Sequence, residues 1–207
     1  MKFDYSDRRL YLCIGISEQV RDVVRAAIDG GVDVVQLREK NAEAQPIIET
    51  ALALKEILKR NDIPFFINDR VDIAKIVASD GVHLGQGDIS PTQARTILGP
   101  ETAIGRSTHS VAECQRSLDE EIAYISAGPI EKTPTKPLRD PVGVDYAQYA
   151  IKTSPRPVFI TGGITPEKIH ELSPLGISHF VVVRYITQAK DAFLSAKKLR
   201  DAIDQYW

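Results

Sequence analysis

Short runs of apolar, mostly β-branched residues alternate along this chain with stretches in which apolar residues recur every three or four positions. The first run is Leu10 to Ile14, followed by Val20, Val23, Val24, Ala27 and Ile28 at helical spacing. Gly30 and Gly31 stop that helix where a C-cap is expected. Val32 to Leu37 then reads as a strand, and Ile47, Ala51, Leu54 and Leu58 share one face of a longer helix ending near Asn61 and Asp62. The same switch of period recurs at Pro64 to Ile67, Gly81 to Leu84 and Thr102 to Gly105, with helices beginning near Val71, Pro91 and Val111. Ala123 to Ala127, Pro157 to Ile160 and Phe180 to Val183 complete the series, each followed by another helical pattern.

These are eight strand-helix units. Their strands read as continuous Val/Ile/Leu runs without in-out alternation, as parallel strands covered on both faces do. The pattern predicts an α/β fold, a single (β/α)8 TIM barrel over 1–207, with an open doubly wound sheet as the competing architecture. Composition adds mainly exclusions. A chain of 207 residues, 43% hydrophobic, buries a core without needing disulfides or a structural metal. No apolar run is long enough to span a bilayer, and Asp4, Asp7, Arg8 and Arg9 stand where a signal peptide needs apolar residues. The formal net charge of -2, with no basic block, argues against a nucleic-acid partner. Cys13 and Cys114 suggest neither a disulfide framework nor a metal site, which fits a cytoplasmic protein.

The chemistry of a barrel sits at the C-terminal ends of its strands. Here those ends are polar: Gln36-Leu37-Arg38-Glu39-Lys40, Asn68-Asp69-Arg70, Gly85-Gln86-Gly87-Asp88, Arg106-Ser107-Thr108-His109, Thr133-Pro134-Thr135-Lys136-Pro137, Thr161-Gly162-Gly163 and Arg184. Taken alone, several have bland readings. Asp69 reads as the N-cap of the helix from Val71, and Arg38 with Lys40 as a solvated turn. His83 reads as a packed strand residue, His109 is ambiguous, and Cys114 is a small apolar filler. Ser90, followed by Pro91, is a better cap than Asp88, which leaves Asp88 available. Together, Arg38, Lys40 and Lys136 with Asp69 and Asp88 suggest a diphosphate bound with Mg2+, a cation that takes few carboxylates and completes its shell with phosphate oxygens and water. The Gly162-Gly163 turn, beside the end of the eighth strand, suggests a second phosphate site built from backbone N–H groups.

The segments VQLREK (35–40), FFINDRVDIA (65–74), DGVHLGQGDIS (80–90), IGRSTHS (104–110), GPIEKTPTKP (128–137) and ITGGIT (160–165), in this order and spacing, resemble the thiamine-phosphate synthase family. The resemblance implies a (β/α)8 enzyme, a transferase that joins 4-amino-5-hydroxymethyl-2-methylpyrimidine diphosphate to 4-methyl-5-(2-phosphoethyl)thiazole or its carboxylated form. The products are thiamine phosphate and diphosphate. It implies that Gln36, Leu37, Arg38, Glu39, Lys40, Asn68, Ser107 and Lys136 meet the pyrimidine diphosphate, with Arg38, Lys40, Ser107 and Lys136 as catalytic candidates. It implies Asp69 and Asp88 as Mg2+ ligands, and Thr133, Pro134, Thr135, Gly163, Val183 and Arg184 around the thiazole phosphate. Relatives of this family often form homodimers.

Arg184 stands where most members carry a small residue, and it either binds the thiazole phosphate or turns to solvent. Glu131-Lys132 replaces a more apolar pair, and the loop from Pro129 to Val142 is a candidate lid. Competing readings are the thiazole tautomerase branch, whose acid-base His stands where this chain has Pro129, and a non-catalytic sensor of phosphorylated ligands.

Overall fold

A computed structural model describes residues 3–134 and 140–207. Its strands are β1 (Leu10–Ile14), β2 (Val34–Leu37), β3 (Phe65–Asn68), β4 (Gly81–Leu84), β5 (Ala103–Thr108), β6 (Tyr124–Ala127), β7 (Val158–Thr161) and β8 (Phe180–Val182). All neighbours pair in parallel, and β8 returns to β1, closing the barrel β1-β2-β3-β4-β5-β6-β7-β8. The open sheet is thereby excluded. Between and after the strands run α1 (Val20–Asp29), α2 (Ala44–Arg60), α3 (Val71–Val77), α4 (Pro91–Leu98), α5 (Val111–Ser117), α6 (Gly143–Thr153), α7 (Pro166–Leu172), α8 (Arg184–Thr187) and α9 (Ala192–Asp204).

The helix faces follow the spacing. Ile47, Ala51, Leu54 and Leu58 of α2 are buried against the barrel, as are Val20, Val24 and Ala27 of α1. Most strand boundaries lie within one residue of the sequence reading, and two differ by more. β2 starts at Val34, just after Asp33, whose carboxylate accepts the N–H groups of Arg9 and Leu10 at 2.8 and 2.9 Å. β5 continues to Thr108, pairing Ser107 with Ser126 and Thr108 with Ala127.

Although nearly every strand residue is buried, the two faces differ. Leu10, Leu12, Val35, Leu37, Phe65, Ile67, Val82, Ile104, Ile125 and Ile160 belong to the cluster between barrel and helices. Tyr11, Val34, Phe66, Ala103, Tyr124 and Phe159 form a separate cluster inside the barrel. The interior rings pack edge-on, with Tyr124 lying 5.4 Å from Phe66 and 5.1 Å from Phe159 between centroids. Gly105 makes room for them: a Cβ there would stand 2.2 Å from the Tyr124 ring. This aromatic layer plugs the lower barrel, so the inward residues nearer the C-terminal ends are left to form a pocket floor.

Candidate active site

A cavity of about 910 Å3 opens at the C-terminal end of the barrel. Its walls include the upper inward residue of one strand after another: Cys13, Gln36, Asn68, His83, Ser107, Ser126 and Thr161. Around its mouth lie Arg38, Lys40, Asp69, Asp88, His109 and Asp140. A second cavity of about 300 Å3 is lined by Pro129, Thr133, Gly162, Gly163, Thr165, Arg184 and Tyr185. Thr161, Val181 and Val183 line both. The barrel therefore carries two adjoining chambers with a common wall.

Asp69 does not cap α3. The N-cap position is Arg70, no side chain caps that helix, and Asp69 adopts φ 60 at the turn leaving β3. Its carboxylate instead meets Lys40 Nζ at 3.2 Å. Asp88 is likewise free of capping duty, since Ser90 and Gln93 form a capping box with Pro91 in the first turn of α4. Asp88 Oδ2 accepts the Gly85 N–H at 2.6 Å. Burial raises the Asp88 carboxyl above its ordinary range, and its hydrogen bond with Asp69 adds to the rise. Two carboxylates that oppose one another need either a shared proton or a cation. This all-oxygen pair suits a hard divalent ion such as Mg2+, which draws its remaining ligands from water and substrate oxygens. Among the described residues no cluster of three His, Cys, Asp or Glu side chains is gathered.

The β4 loop that carries Asp88 is held from β5: Arg106 Nη1 donates to the Gly85 carbonyl at 2.6 Å, and Gln86 Nε2 to the Ser107 carbonyl at 2.7 Å. Asn68 is buried on the cavity wall, and its amide Nδ2 has no partner among the described residues. In the smaller chamber Gly162 and Gly163 have φ of 105 and 72. A Cβ on Gly162 would stand 2.8 Å from the Ile130 backbone nitrogen, so the turn needs glycine for space as well as for conformation.

Most of the expected residues converge. Gln36, Arg38, Lys40, Asn68, Ser107, Asp69 and Asp88 line the larger cavity, Thr133, Gly163 and Arg184 the smaller, and Val183 both. Arg184 is exposed overall yet lies along the smaller chamber. Three expected side chains line neither cavity. Leu37 faces the helices within the outer core, Glu39 folds back to accept the N–H groups of Lys40 and Asn41, and Pro134 is exposed. Thr135 and Lys136 lie outside the described residues, as does the centre of the candidate lid.

His83 is buried, as expected for a strand residue, but its imidazole also forms part of the cavity floor. Tyr11, Tyr124 and Ser126 line the same floor without having stood out in the sequence. The signal that marks them is inward register: Tyr11 sits one inward step below Cys13, and Tyr124 one below Ser126. His109 lies at the cavity mouth, where its Nδ1 is 2.9 Å from Glu113 Oε2. Cys114 is fully buried on α5, as expected of an apolar filler.

Comparison with known proteins places the chain in a family. The family model for thiamine monophosphate synthase matches residues 10–186. A thiamine-phosphate synthase from Thermosynechococcus vestitus is 41% identical over 197 residues, covering 95% of this chain and 56% of the relative, so the chain spans just over half its length. One from Thermus thermophilus is 38% identical over 201 residues, covering 94% of this chain and 97% of the relative. A solved thiamine phosphate pyrophosphorylase from Pyrococcus furiosus has a TM-score of 0.86 at 27% identity, with 96% of each chain covered. A 3-hexulose-6-phosphate synthase, TM-score 0.69 at 19% identity over 94% of this chain and 99% of the other, shares the fold. With the family model spanning every strand of the barrel and relatives near 40% identity along nearly the whole chain, the protein belongs to the thiamine monophosphate synthase family.

Proposed function

We propose that this chain joins 4-amino-5-hydroxymethyl-2-methylpyrimidine diphosphate to 4-methyl-5-(2-phosphoethyl)thiazole, forming thiamine phosphate and releasing diphosphate. The observation that carries this reading is the pair of adjoining chambers with the common wall of Thr161, Val181 and Val183. One chamber has the cations and carboxylates suited to a metal diphosphate, and the other the glycine turn and Arg184 suited to a phosphate monoester.

In this reading the bond between the pyrimidine methylene carbon and the diphosphate oxygen breaks, and its electron pair leaves with the diphosphate. The lone pair of the thiazole nitrogen then forms the new carbon-nitrogen bond. That nitrogen carries no proton, so no general base is required. The task of the protein is electrostatic and positional. Arg38 and Lys40, with Lys136 from the strand-six loop, stabilise charge growing on the leaving group. Asp69 and Asp88 would hold Mg2+, which when bound supplies further positive charge to the diphosphate oxygens. Gln36, Asn68 and Ser107 orient the pyrimidine ring, while Thr133, Thr135, Gly163, Val183 and Arg184 hold the thiazole phosphate at the common wall. A cytoplasmic setting fits two buried thiols, Cys13 and Cys114, and no helix of the described residues is long and apolar enough to cross a membrane.

The test is an omission assay read by chromatography. Thiamine phosphate must appear only when both substrates and Mg2+ are present, with one diphosphate released per product. Binding of both substrates without product would reject the synthase reading.

A further inference from the structure

Across the cavity floor runs a continuous chain of side-chain hydrogen bonds. Gln36 Nε2 donates to Tyr11 Oη at 2.8 Å, Tyr11 Oη lies 2.9 Å from Tyr124 Oη, and Tyr124 Oη lies 2.9 Å from His83 Nδ1. His83 Nε2 in turn lies 2.8 Å from Ser107 Oγ. Each phenol has one proton, and burial pushes both phenols above their ordinary range, so both stay neutral. The direction of the first bond then propagates. Tyr11 accepts from Gln36 and must donate to Tyr124. Tyr124 must donate to His83 Nδ1, which places the imidazole proton on Nε2, and Nε2–H donates to Ser107. Reversing the Gln36 amide would reverse every bond. The Cys13 thiol, 3.5 Å from Gln36 Oε1 and able to donate to it, favours the direction given.

The consequence lies at the two ends, both on the cavity wall. Among the described residues Gln36 Oε1 receives only that weak thiol donor, and the Ser107 hydroxyl keeps its own proton to give away. We propose that Tyr11, Tyr124 and His83 are positioning residues that fix the polarity of the floor, presenting Gln36 as an acceptor and Ser107 as a donor to the ring of a bound aminopyrimidine. The identity of that ring rests on the function proposed above, whereas the polarity of the chain does not. A ring with an amino donor on one edge and an unprotonated nitrogen on another matches this arrangement, and an oxo ring with a protonated nitrogen does not.

Nitrogen-15 NMR of the histidine rings tests the polarity without turnover, with the His83 signals identified by their loss in His83→Gln. The expected spectrum has a protonated Nε2 and an unprotonated Nδ1; the opposite tautomer would overturn the proposal. Kinetics test the role. In Tyr124→Phe the KM for the pyrimidine diphosphate should rise about tenfold, the effect of one lost buried hydrogen bond, while the KM for the thiazole phosphate stays within about twofold. Tyr11→Phe, which deprives Gln36 of its acceptor, should give the same split if Tyr124→Phe does not fold. Equal changes in both KM values, or none, would show a merely structural network. A parent protein that makes no thiamine phosphate but shows the expected tautomer would count against the proposed function and leave the polarity standing.

Discussion

Asp88→Asn exchanges one of two facing carboxylates for an amide of the same shape. In the parent, Asp69, Asp88 and Lys40 together carry a net charge of -1 when ionised, and Asp69 is already paired with Lys40 at 3.2 Å. The substitution brings that trio to neutrality and removes half of the oxygen pair available to a cation. With Mg2+ at about 100 times its dissociation constant, the parent should gain about 2.7 kcal/mol. For a chain of 207 residues this raises Tm by roughly 5–11 °C, at about 2–4 °C per kcal/mol. The variant should lose most of that gain. Without metal it should be at least as stable as the parent at neutral pH, because Asn Oδ1 can still accept the Gly85 N–H and the amide NH2 can donate to Asp69.

The pH dependence has a definite sign. The Asp88 carboxyl is raised in the folded protein above its ordinary value of 3.8, so its contribution to metal-free stability is full below that value and is lost as pH rises through the folded pKa. Mg2+ binds the ionised form. The Mg2+-dependent gain in Tm should therefore shrink as pH falls through the raised pKa, and the variant should lack this dependence. Thermal melts at several pH values with a Mg2+ titration measure both. A titration superimposable on the parent's would refute the assignment and leave Asp88 as a loop residue holding Gly85.

Three further outcomes are expected. Lys136→Ala should lower kcat by about 100-fold while changing the KM for thiazole phosphate much less, because its charge is needed most as diphosphate departs; steady-state kinetics with each substrate varied would show an unchanged kcat if the assignment is wrong. Glu131→Gln should tighten thiazole phosphate binding about two- to fivefold, since the Glu131 carboxylate lies 2.6 Å from where a Gly163 Cβ would stand and Lys168 holds it at 2.7 Å; calorimetry showing weaker binding would contradict this. Gly105→Ala drives a Cβ into the buried Tyr124 ring at 2.2 Å and should cost about 1–3 kcal/mol, lowering Tm by roughly 2–12 °C, whereas an unchanged melt would mean that the ring shifts freely.

The spacing of Val20, Val24 and Ala27, or of Ile47, Ala51, Leu54 and Leu58, is enough to place the helices, because only one face of each is covered. Strand positions were legible for the opposite reason: both faces are covered, and the runs stand out as uniformly apolar. That uniformity hid the inside of the barrel. Tyr11 and Leu12 look alike as apolar strand residues, yet one faces the aromatic plug and the other the helices. Polar residues within strands, such as Gln36, Asn68 and Ser107, were the visible trace of the inward register, and they proved to line the cavity. Local reasoning failed at Asp69, where an Asp two residues before a helix suggests a cap but a positive φ turns it toward Lys40. The hydrogen-bond chain was out of reach of sequence alone, since its members come from strands far apart in the chain and meet only on closure.

The most direct test of the two-chamber synthase is a crystal structure with Mg2+, diphosphate and thiamine phosphate. One cation held by Asp69 and Asp88 is expected beside the diphosphate in the larger chamber, with the thiazole phosphate against Gly163 and Arg184 in the smaller one. Thiamine phosphate bound elsewhere, or a cation that touches neither aspartate, would contradict it.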